Sequence, residues 1–286
     1  MIITTPKIVA IVVATSVLTT VYTSYLIKRM VLSSDGFMAQ QSQSALGGQG
    51  GGGWMSANPQ FNISDPQEQA DLAKKVKDRQ AVKDTANEIT ISLKSFVNCK
   101  LTDPLADDPD EKDHTMSELP AGVQTYAGVP FDVQGIVQLN GPSIQNGKKL
   151  WPLEVKDIPI GHPFKKLHLL HSAFHIDSPQ ANSTFAKLIL HYADGSKAEL
   201  GLVGGVHALR CTSKAVPPYL PLLQERQTEL AWLGSNPYLK EHNSGGALHL
   251  YRTTFDNPKS DQQVITIDYL STMADAGPLM VGLTIE

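Results

Sequence analysis

The chain has 286 residues, with 24 basic and 28 acidic side chains and a net charge of −4. Nothing in that balance suggests the basic face with which a protein grips nucleic acid. Catalytic signatures are also missing: there is no G-x-S-x-G, H-E-x-x-H, phosphate-binding loop or dinucleotide fingerprint.

In chain order, Ile8–Ile27 run twenty positions without a charge. At the rise of an α-helix they span about 30 Å, the thickness of a bilayer's hydrocarbon core. The run is longer than a secretory signal's apolar region, and Tyr22–Arg29 offers no small-x-small cleavage site. Residues 1–30 are therefore expected to be an uncleaved transmembrane anchor. Lys7 on one side and Lys28 and Arg29 on the other nearly balance, so charge does not orient it. The β-rich character of residues 87–286 places the soluble part outside the cytoplasm.

Residues 31–63 are dominated by Gly, Ser and Gln, a composition that cannot repay its ordering entropy and reads as a flexible linker. Ser64-Asp-Pro-Gln67 has the form of a capping box with Pro66 in the first turn, predicting a helix over 64–86. Its apolar stripe is thin (Leu72, Val76, Val82), so the helix is expected to be an exposed stalk.

From residue 87 the pattern becomes that of strands. Phe131–Leu139 alternates, with Phe131, Val133, Val137 and Leu139 on one face. Phe185–Tyr192 and Lys197–Val203 flank Ala193-Asp-Gly-Ser196, a strong hairpin turn. Ile89–Phe96, Lys166–Phe174, Thr228–Leu233, Leu248–Thr254, Val264–Leu270 and Leu279–Ile285 bring the total to about nine strands. The last should carry Leu279, Val281, Leu283 and Ile285 on one face. No long amphipathic helix separates the strands, so residues 87–286 read as an all-β antiparallel sandwich or jelly roll with one sizeable core.

Several pieces carry a family likeness. They are Asn87–Leu93, Leu119–Gly135 (LPAGVQTYAGVPFDVQG), Lys166–His171, His191-Tyr-Ala-Asp-Gly195 and Leu250–Pro258. Together, in order over residues 87–286, they resemble the galactose-binding-like β-sandwich domains, akin to discoidin and NPCBM modules, of secreted and membrane-attached bacterial proteins. The resemblance implies a jelly roll that binds glycans or serves as an accessory module, without a universal catalytic residue. Gly201–Cys211 (GLVGGVHALRC) departs from the charged and aromatic residues that related domains carry after this hairpin.

Three groups of residues are candidates for chemistry. His168, His171 and His175 would share a face on a helix and suggest zinc. On a strand, however, His168 and His171 point to opposite faces, so a structural role is expected. The acidic loop offers Asp107, Asp108, Asp110 and Asp113 as oxygen ligands for a structural calcium, although its spacing is not that of an EF-hand and a solvated loop is the ordinary reading. Trp151, Tyr219 and Tyr238 lie in or near loops and are the candidate sugar-stacking aromatics, whereas Trp232 reads as core. Cys99 and Cys211 lie 112 positions apart; one disulfide or two separate buried thiols are possible, and the thiols are the expectation. Asn62 and Asn182 open glycosylation sequons, which short chance matches supply readily.

The expectation is a membrane-tethered, extracytoplasmic, non-catalytic recognition module. Its partner is a glycan or, as the alternative, another protein of the cell envelope that it scaffolds. A carbohydrate-active hydrolase comes third. No nucleic acid and no cofactor beyond the calcium is implied.

Overall fold

The computed structural model describes residue 74 and residues 87–105, 112–144, 149–176, 183–213, 227–242 and 246–286. The anchor, the linker, Asn62, Asn182, Asp107, Asp108, Asp110 and Tyr219 lie outside the described residues. Of the expected stalk helix only Lys74 is described, helical and exposed. Among the described residues, no helix is long and apolar enough to cross a membrane.

The described part of residues 87–286 is an antiparallel β-sandwich with an added layer. One sheet has seven strands. Its path runs β1 (Ile89–Ile91), β13 (Gly277–Ile285), β6 (Lys166–Phe174), β11 (Ala247–Asp256) and β10 (Thr228–Gly234). Two short strands extend it: β4 (Val137–Gln138) on β13, and β9 (Thr212–Ser213) on β11. A four-stranded sheet has the order β5 (Glu154–His162), β12 (Val264–Ser271), β7 (Thr184–Tyr192) and β8 (Lys197–Val203). A separate hairpin pairs β2 (Gly122–Tyr126) with β3 (Val129–Val133).

Two apolar clusters hold these layers. Leu167, Leu169, Tyr251 and Leu283 of the large sheet pack with Ile158, Leu188, Ile267 and Tyr269 of the small one. On the other face of the large sheet, Leu170, Leu250, Leu279 and Val281 pack with Phe131, Val133, Met116, Trp151 and Trp232. β6 and β13 are consequently covered on both faces, and every residue of β13 is buried. That is why GPLMVGLTI reads as a nearly unbroken apolar run, and why KLHLLHSAF carries apolar side chains toward both faces rather than alternating.

Two facing patterns differ from expectation. In Phe131–Leu139 the strand breaks at Gln134-Gly135-Ile136, where Gly135 takes a φ of 149° and a Cβ would overlap Val97. Phe131 and Val133 therefore face the second cluster, and Val137 and Leu139 the first. In β13 the register against β6 shifts between Met280 and Gly282. The extra residue sends Leu279 and Val281 to the second cluster and Leu283 and Ile285 to the first, instead of one shared face.

The histidines of β6 behave as a strand requires. His171 shares a face with Leu169 and Ala173, is fully buried, and hydrogen-bonds Thr253 Oγ1 at 2.8 Å. His168 shares the opposite face with Leu170 and Phe174. The two rings thus belong to different layers, and the helical zinc arrangement does not form. Cys99 and Cys211 are both buried, and no disulfide joins them.

Candidate functional site

Trp151 is buried rather than exposed. It is 4% exposed within the second cluster, and the Lys149 ammonium lies 4.1 Å from its ring centre. The Pro152 carbonyl accepts a hydrogen bond from Asn140 N at 2.8 Å, which holds the segment down on the core. This corrects the expectation from sequence, where Trp151 preceded by Lys-Leu and followed by proline looked like an exposed loop aromatic. Trp232 is buried, as expected. Asp113 is exposed at the end of the acidic loop.

Tyr238, in contrast, stands where three chain segments meet. The first is the C-terminal arm of the acidic loop, closed by Leu105 N donating to His114 O at 2.8 Å. The second is β9, whose Thr212 Oγ1 lies 3.3 Å from His114 Nε2 and from which the segment carrying Tyr219 departs. The third is a short helix, α1 (Pro237–His242). Asn236 caps it: its Oδ1 accepts from Leu239 N at 2.8 Å, and its Nδ2 donates to Thr115 O at 2.9 Å. Proline at the first helical position has no N–H to leave orphaned there.

The cap fixes where the aromatic side chains go. The His114 and Tyr238 rings stack with centres 5.1 Å apart at 24°, and the Tyr238 and His242 rings at 4.6 Å and 22°. His242 Nδ1 lies 3.2 Å from Tyr238 O, one helical turn back. The ladder runs from a buried ring, His114, through half-buried Tyr238 to exposed His242. Beside it Glu118 takes hydrogen bonds from Lys240 Nζ at 2.9 Å and from Ser235 N at 2.8 Å. Partial burial pushes the Glu118 carboxyl up, but those two bonds and the Lys240 charge outweigh it and hold the carboxyl below its ordinary value.

The site therefore offers an aromatic edge, an exposed carboxylate and an exposed ammonium within a few residues of one another. Sequence reasoning picked out Tyr238 and the acidic loop separately. It gave no role to His114 or Glu118, both inside the acidic loop Asp103–Glu118, nor to His242, and the available signal was Ser235-Asn-Pro237, a cap-and-proline helix start that would have put Tyr238 and His242 one turn apart.

A second polar arrangement lies on the outer face of the small sheet. His191 Nε2 meets Asp268 Oδ2 at 2.7 Å, and Asp268 Oδ1 accepts from Asp157 N at 3.0 Å. Asp157 has a φ of 59° at a register shift between β5 and β12, so the pair fastens a bulge.

Comparison with protein-family models, curated proteins and solved structures finds no match to this chain.

Proposed function

We propose that this chain is a membrane-tethered, extracytoplasmic recognition module of the galactose-binding-like jelly-roll kind, which holds a carbohydrate without transforming it. The ligand site is the loop end around Tyr238, and the observation that carries the reading is the His114–Tyr238–His242 ladder beside Glu118 and Lys240. Sugars present C–H faces to aromatic planes and hydroxyls to charged groups. His242, exposed at the end of the ladder, offers the plane; Glu118 accepts and Lys240 donates. Calcium on Asp107, Asp108, Asp110 and Asp113 would supply only a charge that fixes oxygen ligands.

The test is binding of the full chain in detergent to a broad glycan and polysaccharide panel, with and without a calcium chelator. The reading predicts a specific hit that His242→Ala weakens by about tenfold, the loss of roughly one stacking contact. A blank panel with folded protein overturns it. The second reading, docking to another envelope protein, has its own observation. Leu150 is 93% exposed, Leu153 52% and Met273 37%, and Ser271, two residues before Met273, ties its N–H to Leu153 O at 2.8 Å.

A further inference from the structure

Three neighbouring strands of the large sheet bring one imidazole and two carboxylates together at the sheet's end. Ile89 pairs with Ile285 and Ile285 with Leu167, so the next residues outward, Glu88 and Glu286, sit across from each other. Glu286 N donates to Lys166 O at 2.9 Å, and His168 is two residues along on the same face of β6. One ligand-type atom from each of Glu88, His168 and Glu286 lies within 4.8 Å of the others. In sequence the three are 80 and 118 positions apart, which is why no spacing motif announces them.

We propose that Glu88, His168 and Glu286 form a binding site for a divalent transition-metal ion of the zinc class. The nitrogen ligand argues against calcium or magnesium, which take oxygen shells, and one imidazole with two carboxylates suits zinc or cobalt(II). Three protein ligands leave a fourth tetrahedral position for water or an incoming ligand atom.

The imidazole is already oriented for this. His168 is 3% exposed, its Nδ1 lies 2.9 Å from Thr254 Oγ1, and its Nε2 points to Glu286 Oε2 at 3.4 Å. Thr254 Oγ1 in turn accepts from Arg252 at 2.6 Å, and Arg252 pairs with Glu229. A ligand histidine held through its other ring nitrogen is the usual support for a metal-binding imidazole. With metal on Nε2 the ring proton moves to Nδ1 and donates to Thr254. Metal–ligand bonds of about 2.0–2.2 Å require the three atoms to draw together. Glu286 is exposed, so its carboxylate can swing in toward the fixed ring.

Lys166 competes for Glu286. Lys166 Nζ lies 3.5 Å from Glu286 Oε1, in a pair whose side chains are 44% and 37% exposed. Exposed pairs of this kind are weak, so a divalent ion displaces the ammonium at little cost.

The experiment is a cobalt(II) titration of the untagged, metal-stripped full chain in detergent, with visible absorption as the readout and zinc as the competitor. The proposal predicts one equivalent of cobalt with a tetrahedral-type spectrum that zinc abolishes. Glu88→Gln and Glu286→Gln should each weaken binding by about tenfold or more, His168→Gln should abolish the spectrum, and Lys166→Gln should tighten binding several-fold. Circular dichroism of each variant separates lost binding from lost fold, and the two glutamate variants remove only an exposed or half-buried charge. Absence of binding overturns the proposal. So does binding that survives both glutamate substitutions in folded protein, because the ion then sits on other histidines.

Discussion

His171 and His249 are buried with neutral rings, and that makes the fold sensitive to acid. Burial lowers His171 to about 3, helped by the nearby His207, and lowers His249 to about 4. In the unfolded chain both titrate near 6.5. Between those values the unfolded state binds more protons, so stability rises with pH, is complete above about 6.5, and is lost as pH falls toward 3–4. Each ring contributes about 1.4 kcal/mol per pH unit in that window. The denaturant midpoint should therefore drop steeply from pH 6.5 to 4.5, and a flat profile would contradict the neutral assignment. Gly141 supplies a second residue-scale prediction. A Cβ there would overlap the carbonyl oxygen of Ala276, which is backbone and cannot rotate away. Gly141→Ala should cost about 2–3 kcal/mol in urea unfolding, as overpacking does. Single residues were unevenly legible in the sequence. The opposite facing of His168 and His171 came from strand geometry, but the burial of Trp151 depends on a loop pinned by Asn140, a contact with no local signature.

At the scale of elements, the strands with an uninterrupted run of Leu and other apolar residues were legible and the punctuated ones were not. β8 has the expected bounds, Lys197–Val203, and β6 the expected Lys166–Phe174. The turn between β7 and β8 forms as expected, with Gly195 at a φ of 80°. Gly195→Val should therefore cost about 1–2 kcal/mol, the left-handed penalty of a side chain, read as a lower melting temperature without change in the folded spectrum. β5 escaped notice because Pro159 and Gly161 interrupt it and a bulge near Asp157 breaks its alternation. It is tolerated as an edge strand, where a missing N–H faces solvent. β2 was hidden by its polar exposure: Gly122 and Val123 are exposed and Gln124 and Thr125 half-buried. α1 is six residues long, too short to show a helical period, and only its cap marks it.

At the scale of the molecule, the sequence implied two sheets around one core, and the chain instead builds a second cluster on the back of the large sheet. That cluster draws on residues far apart, from Cys99 to Val281, so the burial of both faces of β6 and β13 could be suspected from their apolar runs but not assigned a covering layer. Both cysteines lie in it, and burial raises the Cys211 thiol to about 12, far from thiolate chemistry. Thiol reagents should label neither cysteine until the chain unfolds, and reductant should leave the denaturation midpoint unchanged; a reductant-dependent midpoint would instead reveal a disulfide. The convergence of the acidic loop, β9 and α1 on Tyr238 is likewise a product of the whole fold, since its parts span residues 105 to 242. Hydrogen exchange of the full chain with and without the strongest glycan from the panel is the decisive measurement of that convergence. New protection is expected at residues 112–118, 212–213 and 237–242; protection confined to the outer face of the small sheet, or none at all, would contradict a ligand site at Tyr238.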